Sequence, residues 1–200
     1  MGLITVESQK FLSLNWNDIE RLVDTLSEEI QLNYSPDTIV GILRGGSIVA
    51  NLLSDILDIR EVYVVGCKSY HGLESGDVKI YHDLYLKDLE GRKVLLVDDV
   101  SDTGKTLAAA YDVILRPRRP EAVKTAALLL KPWTSYRPDF YVETTDAWIV
   151  FPWERLETVR ILAARMCEKL GDEKAVEVIS KLSRLGVERV RRMVLGVKTV

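Results

Sequence analysis

Short apolar runs alternate with amphipathic stretches along most of the chain. Four runs have the length and composition of buried strands, at residues 38–43, 61–67, 94–97 and 122–130. Between them, apolar residues recur at helical spacing over residues 15–33, 48–57 and 106–115. Strands that alternate with helices in this way predict an α/β fold with a doubly wound, mainly parallel sheet and right-handed crossovers.

The two ends of the chain follow other patterns. Residues 3–14 alternate loosely, which predicts one outlying strand, and residues 140–142 and 148–151 are typical of short strands. The last part of the chain shows two or three amphipathic helical segments separated by glycines. We therefore expect a main domain over residues 1–154 and a helical extension over residues 155–200 that packs on the same domain.

Composition and charge narrow the class of protein. The 200 residues are 47% hydrophobic, which is ample for a core. The net charge is -3, whereas nucleic-acid-binding proteins usually carry an excess of basic residues, so we expect no nucleic-acid partner. We expect no membrane partner and a cytoplasmic location, because neither a signal peptide nor a membrane-length apolar stretch is present. Cys67 and Cys167 are interpreted as reduced thiols.

The segment that follows the apolar run at 94–97 combines carboxylates with a phosphate-sized turn. Asp98 and Asp99 stand where the strand should end, and an open α/β sheet binds ligands outside the carboxyl ends of its strands. The sequence DTGKT at residues 102–106 then opens a helix, where hydroxyls and unpaired N–H groups favour an anion. A ribose 5-phosphate fits both features, because carboxylates accept hydrogen bonds from vicinal hydroxyls.

Two simpler interpretations of this segment are a nucleotide-hydrolase P-loop and a solvated acidic turn. Residues 104–106 read Gly-Lys-Thr, as at the end of a P-loop, but Asp99 occupies the position of the required first glycine. Acids beside the turn would also repel a triphosphate. An acidic turn that only caps a helix would leave the neighbouring phosphate-sized turn without a use.

A second candidate anion site follows the strand at residues 38–43. Arg44, Gly45 and Gly46 lie between this strand and a helix, and an arginine can bind phosphate through two hydrogen bonds. Taken alone, this tripeptide equally fits an ordinary turn. If the sugar carries pyrophosphate at its anomeric carbon, the turn can bind that leaving group, and Mg²⁺ would offset the remaining charge.

Several motifs in this order resemble the type I phosphoribosyltransferases. The sequence VLLVDDVSDTGKT at residues 94–106 resembles their signature for binding 5-phosphoribosyl 1-pyrophosphate. The sequence LRGG at 43–46 is similar to the pyrophosphate loop of the 6-oxopurine branch, in which a non-proline cis peptide is common. Lys131 and the segment 148–154 look like the base-binding part of xanthine-guanine enzymes. The resemblance implies this family's fold, with a small hood beside the sheet.

The resemblance also implies a role for each candidate residue. Asp98 and Asp99 would hold the ribose hydroxyls and the metal, and Asp102 would face the imidazole nitrogen of a purine as catalytic base or hydrogen-bond partner. The pyrophosphate site would comprise Arg44, Gly45 and Gly46. The 5-phosphate site would comprise Ser101, Asp102, Thr103, Gly104, Lys105 and Thr106. The flexible catalytic loop would open with Lys68, Ser69 and Tyr70 and extend to about residue 84. The base site would comprise Lys131, Trp148 and Ile149.

The implied reaction joins a 6-oxopurine base to 5-phosphoribosyl 1-pyrophosphate, with Mg²⁺ as cofactor. Hypoxanthine, guanine or xanthine is expected as acceptor, because a lysine donor matches a 6-oxo group and not a 6-amino group. The products would be a nucleoside 5′-monophosphate and pyrophosphate, in purine salvage. Alternatives are an adenine or pyrimidine phosphoribosyltransferase, and a regulator of this fold that binds nucleotide without turnover. The family resemblance also implies a homodimer or homotetramer.

Overall fold

The computed structural model describes residues 2–6, 8–69 and 78–196. Its strands are β1 (Gly2–Val6), β2 (Gln9–Ser13), β3 (Thr38–Leu43), β4 (Glu61–Ser69), β5 (Val78–His82), β6 (Lys93–Ser101), β7 (Ala122–Leu130), β8 (Phe140–Thr144) and β9 (Trp148–Val150). Its α-helices are α1 (Trp16–Asn33), α2 (Gly45–Ile56), α3 (Lys105–Ala109), α4 (Arg155–Leu170), α5 (Asp172–Ser183) and α6 (Val187–Gly196). The chain divides into two compact units, Glu20–Thr145 and a second made of Met1–Ile19 with Asp146–Val200.

The unit Glu20–Thr145 is built on a six-stranded sheet of order β5-β4-β3-β6-β7-β8. Every neighbouring pair in it is parallel except β4 and β5. Residues 94–97 of β6 are completely buried, as a strand covered on both faces requires. This confirms the predicted α/β class and mainly parallel sheet.

Helices cover both faces of this sheet. Val40 and Ile42 of β3 belong to an apolar cluster that includes Leu107 of α3. Gly41 lies between them on the strand and therefore faces the other side, where an added Cβ would stand 2.8 Å from Cβ of Ala50 in α2. The sheet is thus doubly wound, as predicted.

The second unit contains a three-stranded sheet of order β1-β2-β9. Strands β1 and β2 form an antiparallel pair, and β9 pairs with β2 in parallel. Phe11 of β2 packs in one apolar cluster with Val159 and Leu162 of α4 and with Ile179 of α5. The three C-terminal helices therefore share a core with this small sheet.

The structure changes three local expectations. The predicted single strand over 3–14 is a hairpin of two strands, and the short strand predicted at 148–151, whose partner was not predicted, pairs with β2. Part of the predicted loop over 68–84 is the strand β5. Helix α3 becomes a π-helix over Ala110–Leu115. Each of these features depends on strand pairing or packing beyond the range of local periodicity.

No helix of the described residues is both long and apolar enough to cross a membrane.

Candidate active site

Two carboxylates stand at the point where β6 loses one of its neighbours. The pairing of β3 with β6 ends at Val97, whereas the pairing of β7 with β6 continues to Ser101. Asp98 is half-buried there and Asp99 is 8% exposed. The strand therefore continues past both acids, where the sequence pattern predicted its end. The acids lie beside the gap that opens between β3 and β6.

Local hydrogen bonds orient both carboxylates. The N–H of Asp99 donates to Oδ1 of Asp98 at 3.0 Å, and the N–H of Val100 donates to Oδ1 of Asp99 at 2.9 Å. Each acid thus uses one oxygen on the adjacent backbone, which restricts rotation of its carboxylate.

The turn after β3 lies directly against these acids. The peptide bond between Leu43 and Arg44 is cis. A Cβ added to Gly45 would fall 1.7 Å from Oδ2 of Asp99, and one added to Gly46 would fall 2.5 Å from the carbonyl oxygen of Val97. Glycine is needed at both positions because the side chain of Asp99 and the backbone of β6 occupy the space that a side chain would need. The two predicted anion-binding and carboxylate-bearing segments are therefore neighbours.

The turn between β6 and α3 has the exposure and conformation of an anion-binding loop. Asp102, Thr103 and Lys105 are exposed, and Gly104 is buried with a φ of +81°. A Cβ on Gly104 would stand 2.5 Å from the backbone N of Tyr136, so a side chain would be excluded on steric grounds as well. The sequence predicted a turn here, and the structure shows that this turn requires glycine at position 104.

The segment that follows β7 holds this turn in place, a support that the sequence analysis missed. The N–H and the hydroxyl of Ser135 both donate to the carbonyl oxygen of Thr103, at 3.1 Å and 2.7 Å. The hydroxyls of Ser101 and Thr134 share a hydrogen bond of 3.0 Å, and the Ser101 hydroxyl donates to the carbonyl of Tyr136 at 2.9 Å. The Ser101 side chain thus supports the turn from a buried position, and its role toward phosphate stays a prediction. Because β6 and β7 are adjacent and parallel, the loops that follow them meet at one edge of the sheet. The predicted parallel sheet was therefore the sequence signal that could have indicated this support.

Lys131 lies immediately after β7 and next to the same turn. It is 7% exposed, and its N–H donates to the carbonyl of Ser101 at 3.0 Å. Its ammonium lies 5.3 Å from the centre of the Trp133 ring, and the indole N–H of Trp133 donates to Oδ1 of Asp102 at 2.9 Å. The predicted base-reading lysine and the predicted catalytic acid are thus linked through one indole.

The remaining predicted site residues lie elsewhere in the chain. Lys68 is exposed near the end of β4, Ser69 is the last residue of that strand, and Tyr70 lies outside the described residues. In the second unit, the Trp148 ring lies 6.4 Å from that of Phe11 and lines a cavity of about 130 Å³. Ile149 is 9% exposed and pairs with Leu12. The roles of Trp148 and Ile149 toward a base stay predictions.

Asp98 and Asp99 carry the donor atoms that Mg²⁺ prefers. Both carboxylates lie beside the Gly45-Gly46 turn, and Mg²⁺ is commonly bound by one or two carboxylates together with water and substrate phosphates. Within the described residues, no group of three or more acidic, histidine or cysteine side chains forms a complete metal site. The acids therefore fit a metal that is bound together with a phosphorylated substrate.

Cys67 lies near this edge of the sheet and is a free thiol. Burial raises its pKa from 9.0 to about 11, and the negative charges of Asp98 and Asp83 act in the same direction. A raised pKa keeps the thiol protonated at neutral pH, and only the thiolate reacts with alkylating reagents. We interpret Cys67 as an unreactive packing residue.

This interpretation predicts how the alkylation rate of Cys67 depends on pH. In the native protein, the rate should still rise about tenfold between pH 9 and pH 10, since the thiolate population remains far from saturation below a pKa of about 11. In denaturant the alkylation rate should level off between pH 9 and pH 10, because the thiol then has its ordinary pKa of 9.0. Mass spectrometry of the Cys67 peptide after timed iodoacetamide treatment measures both rates, with circular dichroism to verify that the native sample stays folded. Levelling off in the native sample would contradict the burial argument.

Comparison with known proteins shows similarity over most of the chain. The family model described as "Phosphoribosyl transferase domain" matches residues 14–155. A hypoxanthine-guanine phosphoribosyltransferase of Aquifex aeolicus is 40% identical over 127 residues, which cover 60% of this chain and 70% of that protein. A xanthine-guanine phosphoribosyltransferase of Cereibacter sphaeroides is 31% identical over 154 residues, covering 73% of this chain and 88% of that protein.

A solved structure agrees with these sequence matches. The purine phosphoribosyltransferase of Pyrococcus horikoshii superposes with a TM-score of 0.65 and is 40% identical. The superposition covers 72% of this chain and 93% of that chain. The family match ends at residue 155, so most of α4 and all of α5 and α6 lie beyond it.

Proposed function

The chain belongs to the phosphoribosyl transferase family, and from this premise we propose that it transfers the 5-phosphoribosyl group of 5-phosphoribosyl 1-pyrophosphate to a 6-oxopurine base. The products are a nucleoside 5′-monophosphate and pyrophosphate, in purine salvage. The main supporting observation is the contact of the Gly45-Gly46 turn with the two acids of β6, next to the phosphate-sized turn. The names of the relatives support the same reaction and the same class of base.

The ribosyl donor occupies the edge formed by three segments. Asp98 and Asp99 accept hydrogen bonds from its vicinal hydroxyls, because ionised carboxylates are acceptors only. The turn at residues 102–106 binds its 5-phosphate through backbone N–H groups, hydroxyls and the Lys105 ammonium. Arg44 and the glycine backbone beside it bind the pyrophosphate, which sits next to the sugar because Gly45 touches Asp99.

The acceptor base is recognised by donors and acceptors on one edge of the purine. The Lys131 ammonium donates to the 6-oxygen, and Asp102 interacts with the adjacent imidazole nitrogen as base or hydrogen-bond partner. We further propose that Trp148 stacks on the ring and that the backbone of Ile149 reads the opposite edge. A lysine donor favours a 6-oxo over a 6-amino group, which argues against an adenine enzyme.

The transition state places positive charge on the ribosyl ring as the bond to pyrophosphate breaks. Asp98 and Asp99 stabilise that charge, and Arg44 stabilises the negative charge of the leaving group. Mg²⁺, when bound by these acids and the substrate, supplies further charge neutralisation. We further propose that the segment that follows β4 excludes water from the ribosyl ring when substrate is present; its residues 70–77 lie outside the described residues. We propose a cytoplasmic enzyme that forms a homodimer or homotetramer, as the family resemblance implies.

The proposal is tested by mixing the protein with 5-phosphoribosyl 1-pyrophosphate, Mg²⁺ and one base at a time, and measuring pyrophosphate. Release is expected with at least one of hypoxanthine, guanine and xanthine, and little with adenine, uracil or no base. Preferred use of adenine or a pyrimidine would change the acceptor class. Absence of release with every base would reject the enzyme and favour a regulator that binds nucleotide without turnover.

A further inference from the structure

Trp133 is an exposed side chain that donates a hydrogen bond to Asp102. The side chain is 56% exposed, so burial of apolar surface contributes little to holding it in place. Its indole N–H nevertheless donates to Oδ1 of Asp102 at 2.9 Å, and its ring lies 5.3 Å from the Lys131 ammonium. One exposed side chain therefore contacts two groups of opposite charge.

The backbone around Trp133 is fixed independently of the indole. The N–H of Thr134 donates to the carbonyl of Lys131 at 3.1 Å, which closes a turn around Trp133. On its other side, Ser135 makes two hydrogen bonds to Thr103. The position of the Trp133 backbone is thus set by its neighbours, and the indole can be altered without removing those bonds.

The two groups that Trp133 contacts have adjacent targets on a purine. In guanine, N7 and O6 are neighbouring acceptors on the same edge of the base. Under the proposed function, Asp102 serves the N7 side and Lys131 donates to the 6-oxygen. Both groups must be held at a matched separation, because a misplaced donor or acceptor loses most of its hydrogen-bond energy.

We infer that Trp133 is a positioning residue that sets the separation of Asp102 and Lys131 and thereby determines how well the enzyme recognises a 6-oxopurine. The indole N–H restricts rotation of the Asp102 carboxylate, and the ring face attracts the Lys131 ammonium. Trp133 itself needs no contact with the base. This inference rests on the proposed function.

Two substitutions separate the two contacts. Trp133→Phe keeps an aromatic face for Lys131 and removes the N–H, whereas Trp133→Leu removes both. We expect Trp133→Phe to raise the KM for the base about 10-fold and Trp133→Leu about 50-fold, in line with loss of a charge-assisted hydrogen bond and a cation–π contact. The KM for 5-phosphoribosyl 1-pyrophosphate should change less than about twofold, because Ser135 still holds the phosphate turn. Tyr85→Phe is the control, since it also removes a donor from an exposed aromatic side chain, one that is 87% exposed.

A binding measurement tests the inference without turnover. Calorimetry with inosine 5′-monophosphate and with ribose 5-phosphate compares two ligands that share the phosphate and sugar but differ in the base. Trp133→Phe should weaken the first about 10-fold and leave the second within about twofold. If wild-type protein binds nucleotide but releases no pyrophosphate, the proposed transfer fails while this comparison still decides the role of Trp133.

The outcomes are distinct. Selective loss of base affinity in both variants supports positioning of the base-reading pair. Equal weakening of both ligands would show that Trp133 only supports the phosphate turn, and would overturn the inference. Unchanged affinity for inosine 5′-monophosphate in Trp133→Leu would overturn it too.

Discussion

Lys131→Ala is expected to lower kcat/KM for a 6-oxopurine base by about 100-fold, which is the effect of removing a hydrogen bond from a buried charged donor. Lys131 is 7% exposed, so water cannot readily replace its ammonium as a donor to the 6-oxygen. The KM for 5-phosphoribosyl 1-pyrophosphate should change less than about threefold, because the proposed sites for the sugar and the phosphates lie on other segments. Steady-state kinetics with each substrate varied in turn measures both values.

Two variants help to interpret the Lys131 result. Lys131→Met keeps most of the side-chain volume without the charge and should lose nearly as much activity toward oxopurines as Lys131→Ala. Lys87→Ala removes an exposed lysine and should leave both KM values unchanged. If Lys131→Ala lost affinity equally for the base and for the ribosyl donor, a base-reading role would be contradicted. Lys131 would then support the turn at residues 102–106, next to Ser101, to whose carbonyl its backbone N–H donates.

Gly46→Ala is expected to lower kcat/KM for 5-phosphoribosyl 1-pyrophosphate by about 100-fold or more, because a 1 Å displacement of a site can cost that much. The new Cβ would stand 2.5 Å from the carbonyl oxygen of Val97 and 2.8 Å from Cα of Asp98. Both atoms belong to the backbone, so no side-chain rotation relieves the clash. The turn that holds Arg44, Gly45 and Gly46 must move away from β6, and the proposed pyrophosphate and 5-phosphate sites then lose their matched separation.

Stability provides a second measurement for Gly46→Ala. Overpacking of this type costs about 1–3 kcal/mol, so the thermal midpoint should fall by several degrees. Gly186→Ala is the matched control, since a Cβ at Gly186 would meet no atom within 4 Å and its φ is not positive. A Gly46→Ala protein with a wild-type KM for the ribosyl donor would show that the turn does not form the pyrophosphate site.

Local patterns anticipated much of the fold and of the candidate site. The apolar positions Ile19, Leu22, Val23, Leu26 and Ile30 of α1 are all buried, as their helical spacing predicts. Asn15 and Asp18 cap that helix through reciprocal hydrogen bonds. The turn at residues 102–104 also lies where the sequence placed it, between a buried strand and a helix. These features depend on residues within a few positions of one another.

Contacts between segments were not predictable in the same way. The sequence analysis related Gly45 and Gly46 to Asp98 and Asp99 only through a shared substrate. Their direct contact requires β3 and β6 to be neighbours in one sheet. The predicted boundary at residue 154 also placed residues 3–14 and the C-terminal helices in different regions. In the structure, Phe11 of β2 and these helices share one core. Strand order and sheet membership arise from packing among distant segments, and hydrophobic periodicity does not encode them.

The sequence by itself determined the chemistry available to this protein: paired carboxylates after an apolar run, a turn with hydroxyls and a glycine before a helix, an arginine turn and a lysine after a later strand. Tertiary structure decided which of these groups meet. Pairing of β6 with β3 brings the glycine turn against the acids, and pairing with β7 brings Lys131 and Trp133 to Asp102. Residue types are properties of the chain, whereas separations of a few ångströms between distant residues are properties of the packed sheet.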